Sequence, residues 1–491
     1  MKKIIASLIS IIIFCAFIPE TQAKTLRALL NYTIFNVPDK EPFIETYLSV
    51  AGESVIFEKN DREQFQALIE VTFIFRQNNE IKEFDKYQLF SPEIIDTNLI
   101  DFDFIDQQRY FMPEGDYEME IIISDLKAGK KPFSFIQPVS ISFHKEDICF
   151  SGIQLVKSVS PMTETNILTK GGYDLVPMVF NFFPESINKF TYYVEIYNAE
   201  KALGQEEKFL VTCFIRSFET GIPIREYTSH KRMDAKPVVS LLNEYDITRL
   251  PSGNYTLVIE VRNKNNELLS TNELFFQRSN PNIEYNLDEL AGIDVQITFA
   301  SQYTSNNTLN EYLRCLSPIA TELEKNFIYK QSPSAGLQTN QQFFYNFWSA
   351  RDMQNPEKAW NDYHIQVQAV NMAYKTQIHK GYETDRGRVY LKYGPPNVIS
   401  ESYHEPSSYP YEIWHYYELS DNQRNKRFVF YTHDLVTNNF VLLHSDAIGE
   451  ISNYRWQVFL NSRWYDPYNV DYRMAPRIYG SWADDYYRNP R

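Results

Sequence analysis

The chain has 491 residues, with 63 Asp and Glu against 48 Lys and Arg and a formal net charge of −15. That balance argues against nucleic acid as a partner, because such binding rests on cationic contacts to phosphate. Tyr and Phe occur 35 times each and Gly only 16 times, a composition that favours pleated, half-buried strands over flexible linkers.

The chain opens with Lys2 and Lys3, an apolar run from Ile4 to Ile18, and a small-residue site ending at Ala23. This order predicts a secretory leader over 1–23. Phe14 ahead of Cys15 argues against a lipid anchor there. No other stretch approaches the roughly 20 apolar residues of a membrane span. The mature chain is expected to be soluble or attached peripherally to a membrane through a partner. Beyond the leader stand Cys149, Cys213 and Cys315, too few and too scattered for a metal site. A Cys149–Cys213 disulfide and three buried free thiols are the two readings.

Residues 24–145 read as short alternating strands, such as 43–50 and 67–75, with Asn78-Asn79 as a hairpin tip. The same grammar returns over 146–280. Pro113-Glu114-Gly115-Asp116-Tyr117 matches Pro251-Ser252-Gly253-Asn254-Tyr255, and Val71 to Ile74 echoes Val211 to Ile215. The Tyr47 strand echoes Tyr192 to Tyr197, and the offsets are about 138 to 147 residues. Three matched segments in the same order predict two tandem immunoglobulin- or fibronectin-like β-sandwiches, with one larger β domain as the rival. Residues 156–172 between them read as a polar surface loop.

From 281 to 460 the pattern turns helical and then to strands. Leu309, Leu313, Leu316, Ala320, Leu323 and Phe327 share one face, with Ser317 expected as an N-cap before Pro318. A short helix is expected over 341–352. A longer one is expected from Asn355-Pro356, with Trp360, Tyr363, Val367, Val370 and Tyr374 on one stripe. Strands are expected at 388–393, 411–418, 427–432 and 439–444, giving a small antiparallel sheet on the helices, an α+β domain.

Within that domain Gly381-Tyr382-Glu383-Thr384-Asp385-Arg386-Gly387-Arg388-Val389-Tyr390 runs to Gly394-Pro395-Pro396, and Tyr411-Glu412-Ile413-Trp414 follows. Phe347-Trp348-x-x-Arg351-Asp352 and Asn361 stand ahead of it. Together these resemble the GWxTD-domain family of secreted bacterial proteins, with Tyr382 in place of the motif's Trp. The resemblance covers roughly 343–445. It implies an exported envelope protein, in the periplasm or associated with the outer membrane, and carries no agreed reaction. The motif set is Gly381, Tyr382, Thr384, Asp385, Arg386, Arg388, Gly394, Pro395, Glu412 and Trp414.

Asp385 and Glu412 are the candidate catalytic carboxylates; paired carboxylates serve acid–base chemistry when their surroundings split their pKa values. Structural ion pairs and turn caps yield the same residues. No phosphate loop, nucleophile elbow or His spacing for a metal is present, so no cofactor is implied. Residues 461–491 hold eight aromatics in 31 residues with no strand or helix period. Trp464, Tyr465, Trp482 and Tyr486 are candidate partner contacts, with an internal staple as the rival. The expected role is an envelope interaction or structural protein with a protein partner. The alternatives are a hydrolase-like or carbohydrate-processing enzyme and a glycan-binding protein.

Overall fold

The computed structural model describes residues 26–461, apart from 39, 129–131, 420–422 and 454, together with 482–490. The expected leader and residues 462–481 of the tail, with Trp464 and Tyr465, lie outside the described residues. The chain forms two compact units. One holds residues to 180 with 193–204 and 236–241; the other holds 181–192, 205–235 and 242 onward.

The first unit begins with eight strands: β1 (Ala28–Phe35), β2 (Phe43–Ala51), β3 (Phe57–Lys59), β4 (Phe65–Gln77), β5 (Glu80–Phe90), β6 (Asp103–Phe111), β7 (Gly115–Asp125) and β8 (Phe133–Ile141). They make two sheets, β1-β2-β6 and β3-β4-β7-β8 with β5 also on β4. Alternate residues face inward, so Ile44, Leu48 and Val50 share a core with Val71, Phe73, Phe75, Met119, Ile121 and Ile123. Asn78 and Asn79 take φ of 52° and 65°, the left-handed pair that a two-residue hairpin requires.

Eleven further strands follow: β9 (Cys149–Phe150), β10 (Gln154–Pro161), β11 (Thr169–Lys170), β12 (Tyr173–Pro177), β13 (Phe182–Phe183), β14 (Lys189–Tyr197), β15 (Lys208–Ser217), β16 (Pro223–Asp234), β17 (Val238–Asp246), β18 (Gly253–Arg262) and β19 (Leu268–Arg278), with a short helix α1 (Ala199–Leu203) after β14. Their sheets run β11-β12-β10-β14-β17, with β9 also on β14, and β13-β19-β18-β15-β16. Phe190 at the start of β14 packs on Phe183 and on Phe276 of β19, ring centroids 4.9 and 4.4 Å apart.

The internal repeat is visible in the pairing. β4 lies between β5 and β7, and β7 between β4 and β8; β15 and β18 have the same neighbours in β16 and β19. The pair β2–β6 corresponds to β14–β17. The repeat reaches single bonds. Tyr117 donates its hydroxyl to the Pro113 carbonyl at 2.9 Å, and Tyr255 to that of Pro251 at 3.0 Å, a tyrosine-corner arrangement. Two residues beyond β8 and β19, the Phe143 N–H meets Glu114 and the Asn280 N–H meets Ser252.

The stretch expected as a polar surface loop instead carries β10 and β11. Lys170 there is buried and bonds Glu45 of β2 and Gln154, the latter at 2.9 Å. Arg109 holds the second Glu45 oxygen at 2.6 Å, and Tyr47 donates to Glu45 at 2.6 Å. The polar sequence marks a buried ionic cluster whose partners are distant in the chain, which no local pattern reveals. Cys149, Cys213 and Cys315 are buried free thiols.

The C-terminal part of the second unit holds α2 (Asn306–Cys315), α3 (Glu322–Asn326), α4 (Leu337–Arg351) and α5 (Pro356–Tyr374), then α6 (Asp385–Tyr393), β20 (Val398–Ser402), β21 (Tyr411–Glu418), β22 (Arg424–Tyr431), β23 (Val441–Ser445), α7 (Trp456–Leu460) and α8 (Ala483–Arg488). Leu309, Leu313, Leu316, Ala320 and Phe327 join Phe343, Phe344, Phe347, Trp348 and Trp360 in one core. Ser317 starts a 3-10 turn with Pro318 and is not an N-cap; Leu316 precedes it with helical dihedrals. The antiparallel sheet β20-β21-β22-β23 is covered on both faces.

The expected strand 388–393 is the helix α6. The Thr384 hydroxyl accepts the Gly387 N–H, and Gly394 ends the helix at φ +82° with Pro395 behind it. These are helix start and stop signals. The apolar alternation that suggested a strand comes from burial on two sides. Val389 faces Trp414 and Phe428 of the sheet, while Leu391 faces Cys315, Val367 and Val370 of the helices. The strand β20, between Pro396 and Tyr411, carries no strong apolar alternation and was not anticipated.

Candidate functional site

The motif is assembled around two glycines. The 3-10 turn Gly381–Glu383 crosses α5 so closely that a Cβ on Gly381 would lie 2.1 Å from the Val370 carbonyl oxygen. A Cβ on Gly387 would lie 1.8 Å from the Gly381 oxygen. Only hydrogen fits at either place, so α5, the turn and α6 meet backbone to backbone. Thr384 locks the crossing, donating to the Gly381 carbonyl at 2.7 Å while accepting from the Gly387 N–H. Tyr382 is buried among Cys315, Val367, Val370 and Leu391, its hydroxyl 3.4 Å from Glu311. The aromatic packing role survives the exchange of Trp for Tyr.

From the first turn of α6, Asp385 and Arg386 reach the sheet. Asp385 accepts the Leu442 N–H at 2.8 Å. Arg386, 5% exposed, donates to Glu412 at 2.7 Å and to the Asn438 side chain and carbonyl at 2.7 and 3.0 Å, with its guanidinium 4.0 Å over the Phe440 ring. Glu412 is also 5% exposed. Its oxygens accept from Arg386 and Tyr403 on one side and from the Trp414 indole at 2.9 Å on the other. Burial, then its bond to Glu401, pushes the Tyr403 phenol above its ordinary range. Of the two candidate carboxylates, Asp385 therefore caps a backbone N–H and Glu412 sits in an ion pair. Glu412 is walled in, and Trp414 is fully buried.

One helical turn on, Arg388 grips Glu450 with two bonds of 3.1 and 2.8 Å, and Lys392 and Tyr393 add bonds of 2.8 and 2.9 Å. Burial alone would raise the Glu450 carboxyl, but the Arg388 guanidinium and Lys392 hold it at about 2. The folded domain thus takes up this proton only at lower pH than the unfolded chain does. The contribution is whole above the ordinary carboxylate pKa of about 4.3 and is lost as pH falls towards 2, on the order of 2–3 kcal/mol. Urea titrations of the wild type and Glu450→Gln should diverge most above pH ~5 and converge towards pH ~2. A constant gap across that window would refute the assignment.

Arg388, Lys392, Gly449 and Glu450 line a cleft of about 490 Å³. Glu219, Ser252 to Asn254, Gln277 to Ser279, Pro318, Glu322 and Lys325 also line it. Glu219 is pushed up by burial; Asn254 donates to it at 2.8 Å. Among the described residues no group of His, Cys, Asp and Glu is placed to hold a metal. Sequence reasoning missed Glu450, Glu219, Arg278 and Tyr403. None stands in a motif, and only the tertiary fold brings them to α6 and the cleft.

Arg351 from the Phe-Trp-x-x-Arg-Asp stretch makes two bonds of 2.9 and 2.8 Å to Glu324, whose side chain also completes the capping box of α3 with Thr321. Asp352 accepts the Gln354 and Asn355 N–H groups ahead of α5. Asn361 is exposed on α5.

The end of the tail is α8, where no helix was expected. Ala483 is buried, and Tyr486 and Tyr487 pack with Trp456 against the face of the sheet that carries Tyr411, Ile413 and Val429. Trp482 is 54% exposed.

Residues 285–457 match the GWxTD domain family, so the C-terminal part carries the domain whose motif builds this network. No curated protein matches the chain. Among solved structures it is similar to the fibronectin(III)-like modules of Clostridium thermocellum CbhA, at 9% identity over 52% of this chain and 98% of that one, with a TM-score of 0.14. It is also similar to Bacteroides uniformis beta-glucuronidase 2 (9% identity, 48% of this chain and 26% of that one, TM-score 0.18) and to Escherichia coli alpha-2-macroglobulin (6%, 53% and 22%, TM-score 0.18). The chain thus spans about a quarter of those two proteins. The sandwich assignment rests on the strand pairing of this chain.

Proposed function

We propose that this GWxTD-domain protein is an exported interaction or structural component of the bacterial cell envelope and not an enzyme of the motif carboxylates. The observation that carries this reading is the state of Asp385 and Glu412. One caps the backbone of Leu442, and the other has its oxygens taken by Arg386, Tyr403 and Trp414 inside the core. A general acid or base needs a proton-accepting atom within reach of a substrate, and Glu412 offers none. The leader-like start at Lys2 to Ala23 supports export to the periplasm or the outer membrane's periphery. Two tandem sandwiches suit spacing or docking. The aromatic tail supports a protein partner, for which amphipathic rings give contact area at low rotamer cost.

The test is co-purification from the native envelope by the full chain and by a triple variant, Trp464→Ala, Tyr465→Ala and Trp482→Ala, that leaves α8 in place. A protein captured by the wild type and lost by the equally stable variant supports the reading. Capture of the same proteins by both removes the tail from the interface. Asp385- or Glu412-dependent turnover of envelope polysaccharide would replace the proposal with the carbohydrate-processing alternative.

A further inference from the structure

We propose that the cleft between α6, α3 and the ends of β18 and β19 binds a small molecule bearing an oxyanion, a carboxylate or a phosphate, seated on Arg278 and Lys325. This goes beyond the scaffold reading and does not depend on it. Its volume of about 490 Å³ lies within the range of small-ligand pockets, and its lining is dominated by charged and amide side chains.

The decisive residue is Arg278, only 3% exposed. Its Nη1 donates to the carbonyls of Pro184 and Ile187 at 2.7 and 2.6 Å. Its Nε and Nη2 meet no hydrogen-bond partner, and among the described residues it forms no ion pair. A buried guanidinium whose bonds go only to neutral carbonyls, with the exposed Glu185 acting on it from beyond ion-pair distance, has no direct counter-charge, and planar paired N–H groups match carboxylate and phosphate.

The carboxylates in the cleft do not supply that charge. Glu450 is saturated by Arg388, Lys392 and Tyr393. Glu322 pairs with Lys325 at the surface, 2.7 Å away. Glu219 bonds Asn254 and Ser217, and burial favours its neutral form. Glu450 and Glu322 are thus committed to other cations, Glu219 is held by Asn254 and Ser217, and none of the three forms an ion pair with Arg278.

Isothermal titration of the full-length chain with sodium phosphate and, separately, with sodium succinate, at fixed ionic strength, tests this. Saturable one-site binding of either, at Kd of about 1 mM or tighter, is expected, with Arg278→Gln and Lys325→Gln each weakening it about tenfold or more. Phosphate alone binding identifies a phosphoryl ligand, and succinate alone a carboxylate. Lys325 is half-exposed, so Lys325→Gln remains informative if Arg278→Gln does not fold. No saturable heat with either salt, or binding that Lys325→Gln leaves unchanged, overturns the proposal.

Discussion

Gly387→Ala is expected to unfold the C-terminal domain or to cost it about 4 kcal/mol or more, at the far end of the range for single substitutions. Gly387 sits inside α6, where helix propensity alone would make alanine better by about 1 kcal/mol. Packing reverses the sign. The added methyl would fall 1.8 Å from the Gly381 carbonyl oxygen and 2.8 Å from Val370 Cγ1. Neither neighbour can yield cheaply, because the Gly381 oxygen also takes the Thr384 hydroxyl and Val370 lies in the core of α5. Gly292→Ala, where a Cβ meets nothing within 4 Å, is the control. Denaturant midpoints decide the matter. A Gly387→Ala domain as stable as the wild type would show that α6 does not meet the Gly381 turn backbone to backbone.

The two glycines also explain what could and could not be read from the sequence. The sandwich repeat was legible because its signals are local: a Pro-x-Gly turn, then a Tyr whose hydroxyl returns four residues to the proline carbonyl. The stripes on α2 and α5 were legible for the same reason, the first meeting one core and the second meeting two in succession along its length. Helix α6 failed this logic because it is buried on two opposite sides, and two-sided burial imitates the period of a strand. Its end signals, Thr384-Asp385 before and Gly394-Pro395 after, are those of a helix and outweigh the alternation. Glu450, Glu219 and Arg278 had no signal at all. Their roles come from contacts distant in the chain: Asn254 with Glu219 at 35 residues, Lys392 with Glu450 at 58 and Arg278 with Pro184 at 94.

Glu412→Leu should cost about 3–5 kcal/mol, because it strands the Arg386 guanidinium in the core without its charge partner. Tyr403 and the Trp414 indole lose an acceptor in the same step. The double variant Arg386→Met with Glu412→Leu should recover much of that loss, since a buried ion pair and an apolar pair of similar volume are often close in stability. Recovery cannot be complete, because Asn438 and Trp414 keep polar groups that were bonded to the pair. The cycle separates two roles for the motif. A structural ion pair gives a strong positive coupling between the two positions in thermal or denaturant unfolding. A carboxylate kept for chemistry would leave the single variant nearly as stable as the wild type and abolish a measurable turnover. The network of bonds around Glu412 predicts the first outcome, and a stable, merely inactive Glu412→Leu protein would reverse that assignment.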